Sequence, residues 1–245
     1  MEGYGIKLWS DRGNLAKEAA GIIKSGNFSY VEITVIPGSD IEPFRQEAFP
    51  SIIHVAHDSI GASIGEKSAL KRNVECFEEA VRWADALGSE KMIIHPGFGA
   101  METAIGFLED HYDKRLVIEN MPSEGIRGER MIGYSPGQIR KLMGAKFGLC
   151  LDFGHASAAA RSMGIDYKEL VREFMRIGPS VFHVADTMKE SKVDKHMDFG
   201  NGDADIGFMK SCISSIPAPV TLETPLSGNG LSCFLENLNR FRKHD

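Results

Sequence analysis

The sequence predicts an α/β fold in which a single (β/α)8 barrel, a TIM barrel, spans residues 1–245. Short apolar segments alternate with helical segments eight times, which is typical of a parallel sheet covered by helices. No linker or low-complexity stretch interrupts the alternation, and eight such units in 245 residues favour closure into one barrel. The glycine-rich GxGxxG motif of dinucleotide-binding sheets does not follow the first predicted strand, which argues against an open sheet of that kind.

The eight predicted strands are short, and most are nearly all apolar. The second strand alternates in polarity with period two and is closed by Pro37-Gly38, a pair that favours a turn. In a parallel barrel the carboxyl ends of the strands form one rim, where such folds carry their chemistry. The predicted strands cover residues 5–9, 30–36, 52–56, 91–94, 115–118, 147–151, 181–182 and 219–222.

The predicted helices lie between these strands. The strongest runs from residue 70 to residue 87, because its apolar side chains recur every three or four positions and Gly88 supplies a stop. Another begins at Pro136, and proline is well tolerated in a first helical turn. The predicted helices cover residues 14–24, 42–47, 70–87, 101–111, 136–143, 156–176, 206–213 and 231–242.

The composition is that of an ordinary globular protein, with 42% hydrophobic and 25% charged residues. No apolar run approaches the ~18 residues of a membrane span, and the amino terminus does not resemble a signal peptide. We therefore expect a cytoplasmic monomer with no membrane partner. The net charge of −6 gives no general attraction to nucleic acid, so DNA binding would need a local basic patch. The four cysteines form no CxxC pair and are expected to be buried and reduced.

Nine residues with metal-binding side chains stand at or just after the predicted carboxyl ends of the strands. Imidazole and carboxylate ligands suit a borderline divalent metal such as zinc. Five of the eight histidines belong to this set, whereas His54, His111 and His244 stand at unremarkable positions. Gly200 and Gly202 follow in the last loop of the set, where the chain must bend tightly or pass close to a bound group. The nine residues are His57, His95, Glu119, Asp152, His155, His183, Asp194, His196 and Glu223.

Each of these residues also has a purely structural interpretation. A lone histidine at a strand end is usually a hydrogen-bonded group, and Asp152 could simply cap a helix. Glu119 and Glu223, however, end apolar strands, where an unpaired carboxylate is costly to bury and a metal removes that cost. Because zinc usually takes four ligands, nine candidates indicate two or three zinc ions, with Mn²⁺ or Mg²⁺ as alternatives. Such clusters activate water and stabilise the attacking and leaving oxygens in phosphate ester hydrolysis.

Seven motifs that contain these residues make the chain resemble the endonuclease IV family, the zinc-dependent abasic-site endonucleases within the xylose-isomerase-like barrels. The resemblance covers nearly the whole chain. It implies cleavage of the phosphodiester 5′ to an abasic deoxyribose, which leaves a 3′-hydroxyl. The motifs are HDSIGASIG from His57, HPG at His95, IEN around Glu119, LDFGHA around Asp152, FHVAD around His183, VDKHMDFGNG around Asp194 and LETP around Glu223.

The resemblance also implies how the ligands are shared among three zinc ions. Glu119 would bridge two of these ions and orient the attacking water, which makes it the catalytic residue. The implied ligands are His57, His95 and Glu119 for one ion, Glu119, Asp152, His183 and Glu223 for a second, and His155, Asp194 and His196 for a third.

Part of this site is shared with a different class of enzyme. Five of the residues also resemble the site of sugar or sugar-phosphate isomerases and epimerases, which use a single divalent ion; these are Glu119, Asp152, His155, His183 and Glu223. The other four, which are His57, His95, Asp194 and His196, indicate the three-zinc endonucleases more narrowly. The alternative is therefore a sugar isomerase or epimerase with one metal ion. A third class is a barrel that binds a ligand or metal without turnover.

The chain departs from the family in the segments that contact DNA. After HDS the family carries a bulky pair that fills the gap left by the missing base, and this chain has Ile60-Gly61 there. Pro37-Gly38 leaves little room for the family's basic DNA-clasping loop. The expected partner is DNA that contains abasic sites, or a small sugar or sugar-phosphate under the alternative. Candidate phosphate contacts, each equally well explained as solvated surface, are Arg127, Arg130, Lys189, Lys192 and Lys195.

Overall fold

Eight parallel strands close into a barrel in a computed structural model, which describes residues 2–228 and 230–243. The strands are β1 (Gly3–Trp9), β2 (Tyr30–Val35), β3 (Ser51–Val55), β4 (Met92–Ile94), β5 (Leu116–Glu119), β6 (Gly148–Asp152), β7 (Val181–Val184) and β8 (Pro219–Leu222). Each strand pairs with the next in chain order, and β1 also pairs with β8, so that the ring closes. The predicted (β/α)8 barrel is confirmed.

Helices cover the outside of this ring. They are α1 (Ala16–Lys24), α2 (Glu42–Glu47), α3 (Leu70–Leu87), α4 (Met101–Asp110), α5 (Pro136–Met143), α6 (Phe153–Met163), α7 (Tyr167–Met175), α8 (Ile206–Ser214) and α9 (Ser232–Lys243). The prediction of one helical region over 156–176 is wrong. Gly164 adopts a left-handed conformation with φ of +67° and ends α6, and the Asp166 carboxylate then caps α7 by accepting from the Glu169 amide at 2.9 Å. No helix in the described part of the chain is both long and apolar enough to span a bilayer.

The main hydrophobic core lies between the strands and the helices. Its largest fully buried side chains are aromatic, among them Trp83 on α3 and Phe174 on α7. Burial of each such side chain contributes roughly 1.5–3 kcal/mol. This outer core holds the helices against the barrel and leaves the barrel interior as a separate environment.

Inside the barrel, a second and smaller apolar cluster takes one residue from each of β2 to β7. It consists of Tyr30, Ile52, Ile93, Val117, Cys150 and Val181. Because side chains along a strand alternate between its two faces, the residues two positions further on share the inward direction. Those residues are all polar, namely Glu32, His54, His95, Glu119, Asp152 and His183. The barrel therefore has an apolar floor with a polar layer directly above it, towards the carboxyl ends of the strands.

Candidate metal centre

Glu119, the last residue of β5, lies at the centre of the polar layer and is fully buried. Four imidazoles surround its carboxylate, each with a ring nitrogen between 3.1 and 3.4 Å from one of the two oxygens. Although burial opposes ionisation, the charges of the surrounding imidazoles, His95 and His183 first, hold the pKa of Glu119 well below its usual value. The four nitrogens are Nε2 of His54, Nε2 of His95, Nδ1 of His155 and Nδ1 of His183.

One group of donor atoms joins Glu119 to three further residues at the ends of β6, β7 and β8. The donor atoms of Glu119, Asp152, His183 and Glu223 lie within 4.8 Å of one another. Within this group, His183 Nδ1 lies between two carboxylates, at 2.9 Å from Glu223 Oε1 and 4.0 Å from Asp152 Oδ2. The structure therefore brings together the four residues that the resemblance implies for the second ion.

A second group lies beside the first, towards the solvent. The donor atoms of His155, Asp194 and His196 also lie within 4.8 Å of one another. The Asp194 carboxylate is 2.5 Å from His196 Nε2 and 3.8 Å from His155 Nε2. His196 Nδ1 is 3.4 Å from Glu223 Oε2, which connects the two groups. These are the three residues implied for the third ion.

The remaining histidines lie against each other on the other side of Glu119. The rings of His57 and His95 stack with centroids 4.5 Å apart. Asp58 Oδ1 lies 3.0 Å from His57 Nδ1, and this hydrogen bond lowers the pKa of Asp58 to about 2. Because Nδ1 donates to this carboxylate, the Nε2 lone pair of His57 remains free. The donor atoms of His57, His95 and Asp58 form one group within 4.8 Å, and those of His95, Glu119 and His54 form another.

The interpretation of His54 as an unremarkable residue is wrong. Its side chain is fully buried and belongs to the polar layer beside Glu119. The prediction considered only residues at strand ends, whereas the inward-facing position two residues after Ile52 lies within β3. His111, by contrast, stays outside the centre, because it follows α4 and stacks on Phe107. His244 lies outside the described residues.

Two further residues of the polar layer, Lys7 on β1 and Glu32 on β2, are absent from the predicted site. Glu32 Oε2 accepts hydrogen bonds from His183 Nε2 at 2.9 Å and from Thr221 Oγ1 at 2.6 Å. Since His183 donates from Nε2, its Nδ1 lone pair is directed at the group that contains Glu223. Lys7 Nζ lies 3.4 Å from Glu32 Oε1 and contacts Glu223 Oε1 directly. Period-two alternation from Tyr30 in the apolar floor would have identified Glu32, and Lys7 is its partner in the register of β1 with β2.

Asp152 caps a helix and faces the centre at the same time. Its Oδ1 accepts from the His155 amide at 2.5 Å, which caps α6, while Oδ2 faces His183. Burial raises the pKa of Asp152 to about 6. Asn120 holds the backbone in place, since it both donates to the Asp152 carbonyl and accepts from the Asp152 amide. The structural interpretation of Asp152 is therefore correct, and one carboxylate oxygen still faces the centre.

A buried carboxylate also fixes the loop that carries Asp194 and His196. Asp186 accepts hydrogen bonds from the amides of Gly200, Gly202 and Ala204 at 2.8, 2.9 and 3.1 Å. A Cβ atom on Gly202 would collide with the Thr187 carbonyl oxygen, so only glycine fits this close passage. The expected tight approach at this glycine is confirmed.

Several buried nitrogen and oxygen atoms of the centre have no hydrogen-bond partner among the described residues. They are Glu119 Oε1, His183 Nδ1 and both ring nitrogens of His95. Burial lowers the pKa of His95 to about 3, so this imidazole is neutral. Unpaired buried atoms of this kind are costly, and here they face one another across distances that a divalent cation bridges. The donor set therefore fits a metal ion.

A cavity of about 720 Å³ opens above the centre, and His57, His155 and Glu223 contribute to its floor. Arg127 lines its rim, next to Ile126, whose side chain is 84% exposed. The other predicted phosphate contacts, Arg130, Lys189, Lys192 and Lys195, lie on the surrounding surface. Ile60, expected to be a small wedge, is partly buried against the hydrophobic core.

The family model described as "Xylose isomerase-like TIM barrel" matches residues 38–244. The chain belongs to this family. A curated relative in Thermoplasma volcanium, "Probable endonuclease 4", is 27% identical over an alignment that covers 94% of this chain and 90% of the relative. The predicted resemblance to endonuclease IV is thereby confirmed.

Two solved structures have the same barrel as this member of the xylose isomerase-like TIM barrel family. Endonuclease IV from Thermus thermophilus superposes with a TM-score of 0.74 at 20% identity, covering 98% of this chain and 97% of its own. A D-tagatose 3-epimerase-like protein superposes with a TM-score of 0.70 at 17% identity, covering 98% and 96%. At these identities the two structures show the fold alone, and they bear the names of two different kinds of enzyme.

Proposed function

We propose that this protein is a metal-dependent phosphodiesterase of the endonuclease IV type, which hydrolyses the phosphodiester bond 5′ to abasic sites in DNA with two or three zinc ions. The observation that carries the proposal is the extent of the donor set. Beyond the four residues that suffice for one ion, the centre contains the neighbouring pair of His57 and His95 and the group that includes Asp194 and His196. A site for a single ion needs none of these.

The residues would divide the ions among three positions: two that share Glu119, and a third, formed by His155, Asp194 and His196, that adjoins them at Glu223. Bound zinc would lower the pKa of a coordinated water and neutralise charge on the phosphate oxygens. Glu119 would hold two of the positions together and orient the attacking water through its carboxylate. Glu32 would keep His183 in the tautomer that presents Nδ1. Arg127 at the cavity rim is suited to bind a phosphate oxygen of the DNA backbone.

A second candidate function is a sugar or sugar-phosphate isomerase or epimerase with one divalent ion. Two observations favour it: the group of Glu119, Asp152, His183 and Glu223 suffices for one ion, and Lys7 contributes an ammonium group to the cavity. In that case Glu119 and Glu223 would flank a ring-opened sugar and exchange a proton on the carbon beside its carbonyl. Metal stoichiometry separates the two functions.

The test begins with elemental analysis of protein purified without chelator, followed by a nicking assay on duplex DNA with one abasic site. Two to three zinc ions per chain together with nicking would support the phosphodiesterase. About one ion, exchangeable for manganese and accompanied by sugar isomerisation, would support the second function. Full metal occupancy without any turnover would support a barrel that only binds.

The matched variants are Glu119→Gln and Glu90→Gln. Glu119→Gln removes the charge at the centre and keeps the side-chain volume, so we expect loss of nicking with the helical content and the barrel retained. Glu90 is exposed in the turn before β4, at the opposite end of the barrel, and its variant is expected to nick at the wild-type rate. Turnover at the wild-type rate in Glu119→Gln would refute the proposed role of this carboxylate.

A further inference from the structure

His54 has the hydrogen-bonding pattern of a metal ligand. Its Nδ1 lies 2.9 Å from the carbonyl oxygen of Val55, which can only accept a hydrogen bond. Nδ1 therefore carries the proton, and the neutral ring directs its Nε2 lone pair into the barrel. Histidines that bind metals characteristically donate their other ring N–H to a backbone carbonyl in this way.

The Nε2 lone pair of His54 faces a carboxylate oxygen, which is itself a hydrogen-bond acceptor. His54 Nε2 is 3.2 Å from Glu119 Oε2, and the same oxygen is 3.1 Å from His95 Nε2. Because the His54 ring carries its proton on Nδ1, its Nε2 faces the carboxylate oxygen with a lone pair, and this pair of atoms needs a positive charge between them. One source is an extra proton on an imidazole, and the other is a cation bound by all three atoms.

The surroundings of His54 favour the cation. Its ring centroid lies 4.8 Å from that of His95 and 5.6 Å from that of His57, so three imidazoles line one wall of the centre. Lys7 already supplies an ammonium to this interior. The donor atoms of His54, His95 and Glu119 lie within 4.8 Å of one another, and imidazoles with a carboxylate are donors that zinc prefers.

We propose that His54 is a metal ligand of this chain, bound through Nε2 at the position that it shares with His95 and Glu119. The inference rests on the proposed metal-dependent function and changes one of its positions. His57 lies beside this position, in a neighbouring group with His95, and as a fourth ligand it would close a tetrahedral zinc site. The attacking water would then belong to the positions around Glu223, and the ion held by His54 would be structural.

The experiment compares wild type, His54→Gln and the control His111→Gln. Each metal-free protein is titrated with zinc against a competing chelator, and the loaded protein is then analysed for metal content. We expect His54→Gln to bind one of its ions about 100-fold more weakly than wild type, because loss of an outer hydrogen-bonding partner alone weakens a site by about 10–100-fold. His111→Gln, altered at a histidine outside the centre, is expected to match wild type.

A second measurement uses the wild type alone and decides the matter if the variant does not fold. Cobalt-substituted protein shows strongly shifted proton resonances for the ring N–H groups of ligating histidines. We expect His54 to contribute a resonance that exchanges slowly in D₂O, because its Nδ1–H is buried and bonded to Val55. Assignment of this resonance to His54 by ring labelling supports the proposal.

The outcomes separate this proposal from the proposed function. Wild-type protein that binds no divalent metal would overturn both. Wild-type protein with two or three ions, together with an unchanged zinc titration of folded His54→Gln, would overturn the assignment of His54 and leave the proposed function intact. The absence of a shifted His54 resonance in the cobalt protein would have the same meaning.

Discussion

Replacement of Lys7 by methionine tests how the charges of the centre are balanced. Lys7 is the ammonium that faces two carboxylates of the polar layer, Glu32 at 3.4 Å and Glu223 in direct contact. Although burial acts to lower it, the charges of Glu223 and Glu32 raise the pKa of Lys7 above its usual value. The side chain is therefore charged, and methionine keeps its approximate length while removing that charge.

The magnitude follows from the burial of the two carboxylates. The Glu32 side chain is fully buried and that of Glu223 is 3% exposed, so neither can be solvated when the ammonium is removed. Loss of one partner of a buried ion pair costs about 3–5 kcal/mol of unfolding free energy. For a chain of this length, that corresponds to a fall of roughly 6–20 °C in the melting temperature of the metal-free protein.

The metal-loaded protein should lose less stability than this. A metal ion beside Glu223 would supply positive charge to the carboxylate that Lys7 neutralises in the wild type. In Lys7→Met there is also no ammonium to repel the ion. By the thermodynamic cycle, the difference between the two losses equals the gain in metal binding. A difference of about 1.4–3 kcal/mol would make zinc binding in Lys7→Met roughly 10- to 100-fold tighter.

The assay is denaturant unfolding of wild type, Lys7→Met and the control Lys17→Met, each with chelator and each at a buffered free zinc concentration. Lys17 is exposed on α1, so its variant should follow wild type under both conditions. The reasoning is wrong if metal-free Lys7→Met is as stable as wild type. It is also wrong if the substitution weakens zinc binding.

Three further predictions concern the loop that carries Asp194 and His196. Asp186→Asn replaces one of the two carboxylate oxygens that accept from the amides of Gly200, Gly202 and Ala204. Zinc binding by His196 should therefore weaken. Hydrogen exchange of the loop amides should accelerate while the amides of the barrel strands stay protected. Burial acts to lower the pKa of His196, but the charge of Asp194 raises it to about 9. Zinc binding at pH 7 should therefore release a proton from His196, and the affinity for zinc should increase as the pH rises towards 9. Calorimetry in buffers of different ionisation enthalpy measures this proton release. Lys192→Ala or Lys195→Ala should weaken binding of abasic DNA and lower its salt slope by about one per lost phosphate contact, and an unchanged slope would make these lysines ordinary surface.

The fold could be predicted because its signals are local. The alternation of apolar strands with amphipathic helices can be recognised within short stretches of sequence. Closure of the sheet into a barrel follows from the number of strand–helix units. The error in the helices also has a local cause, since Gly164 ends one helix and Asp166 caps the next. The signals at these positions are a single glycine and a cap, which are weaker than the periodicity around them.

The site residues at or just after the strand ends could be predicted from the sequence, Asp194 and His196 among them, whereas those inside the strands were missed. Glu32 and His54 lie inside strands, where a polar residue can face either the barrel interior or the surrounding helices, and both sides are buried. The apolar floor decides between them, because Tyr30 and Ile52 precede these residues by two positions. The position of His196 in space depends on the long-range hydrogen bonds of Asp186, which cannot be predicted from a local sequence pattern.

The polar layer has basic groups that balance its buried carboxylates without a metal ion. Burial acts to lower the pKa of His155 and that of His196. Neighbouring carboxylates nevertheless raise the pKa of His155 well above its usual value and that of His196 to about 9. In the metal-free protein these raised pKa values favour protonated imidazoles beside Asp194 and its neighbours, alongside the ammonium of Lys7. Metal ligation requires neutral imidazoles, so an ion bound here would replace these protons at positions where positive charge is needed. Protons and metal ions therefore compete for one preformed set of atoms, which predicts that metal-free and metal-loaded proteins share the same barrel and differ mainly in stability.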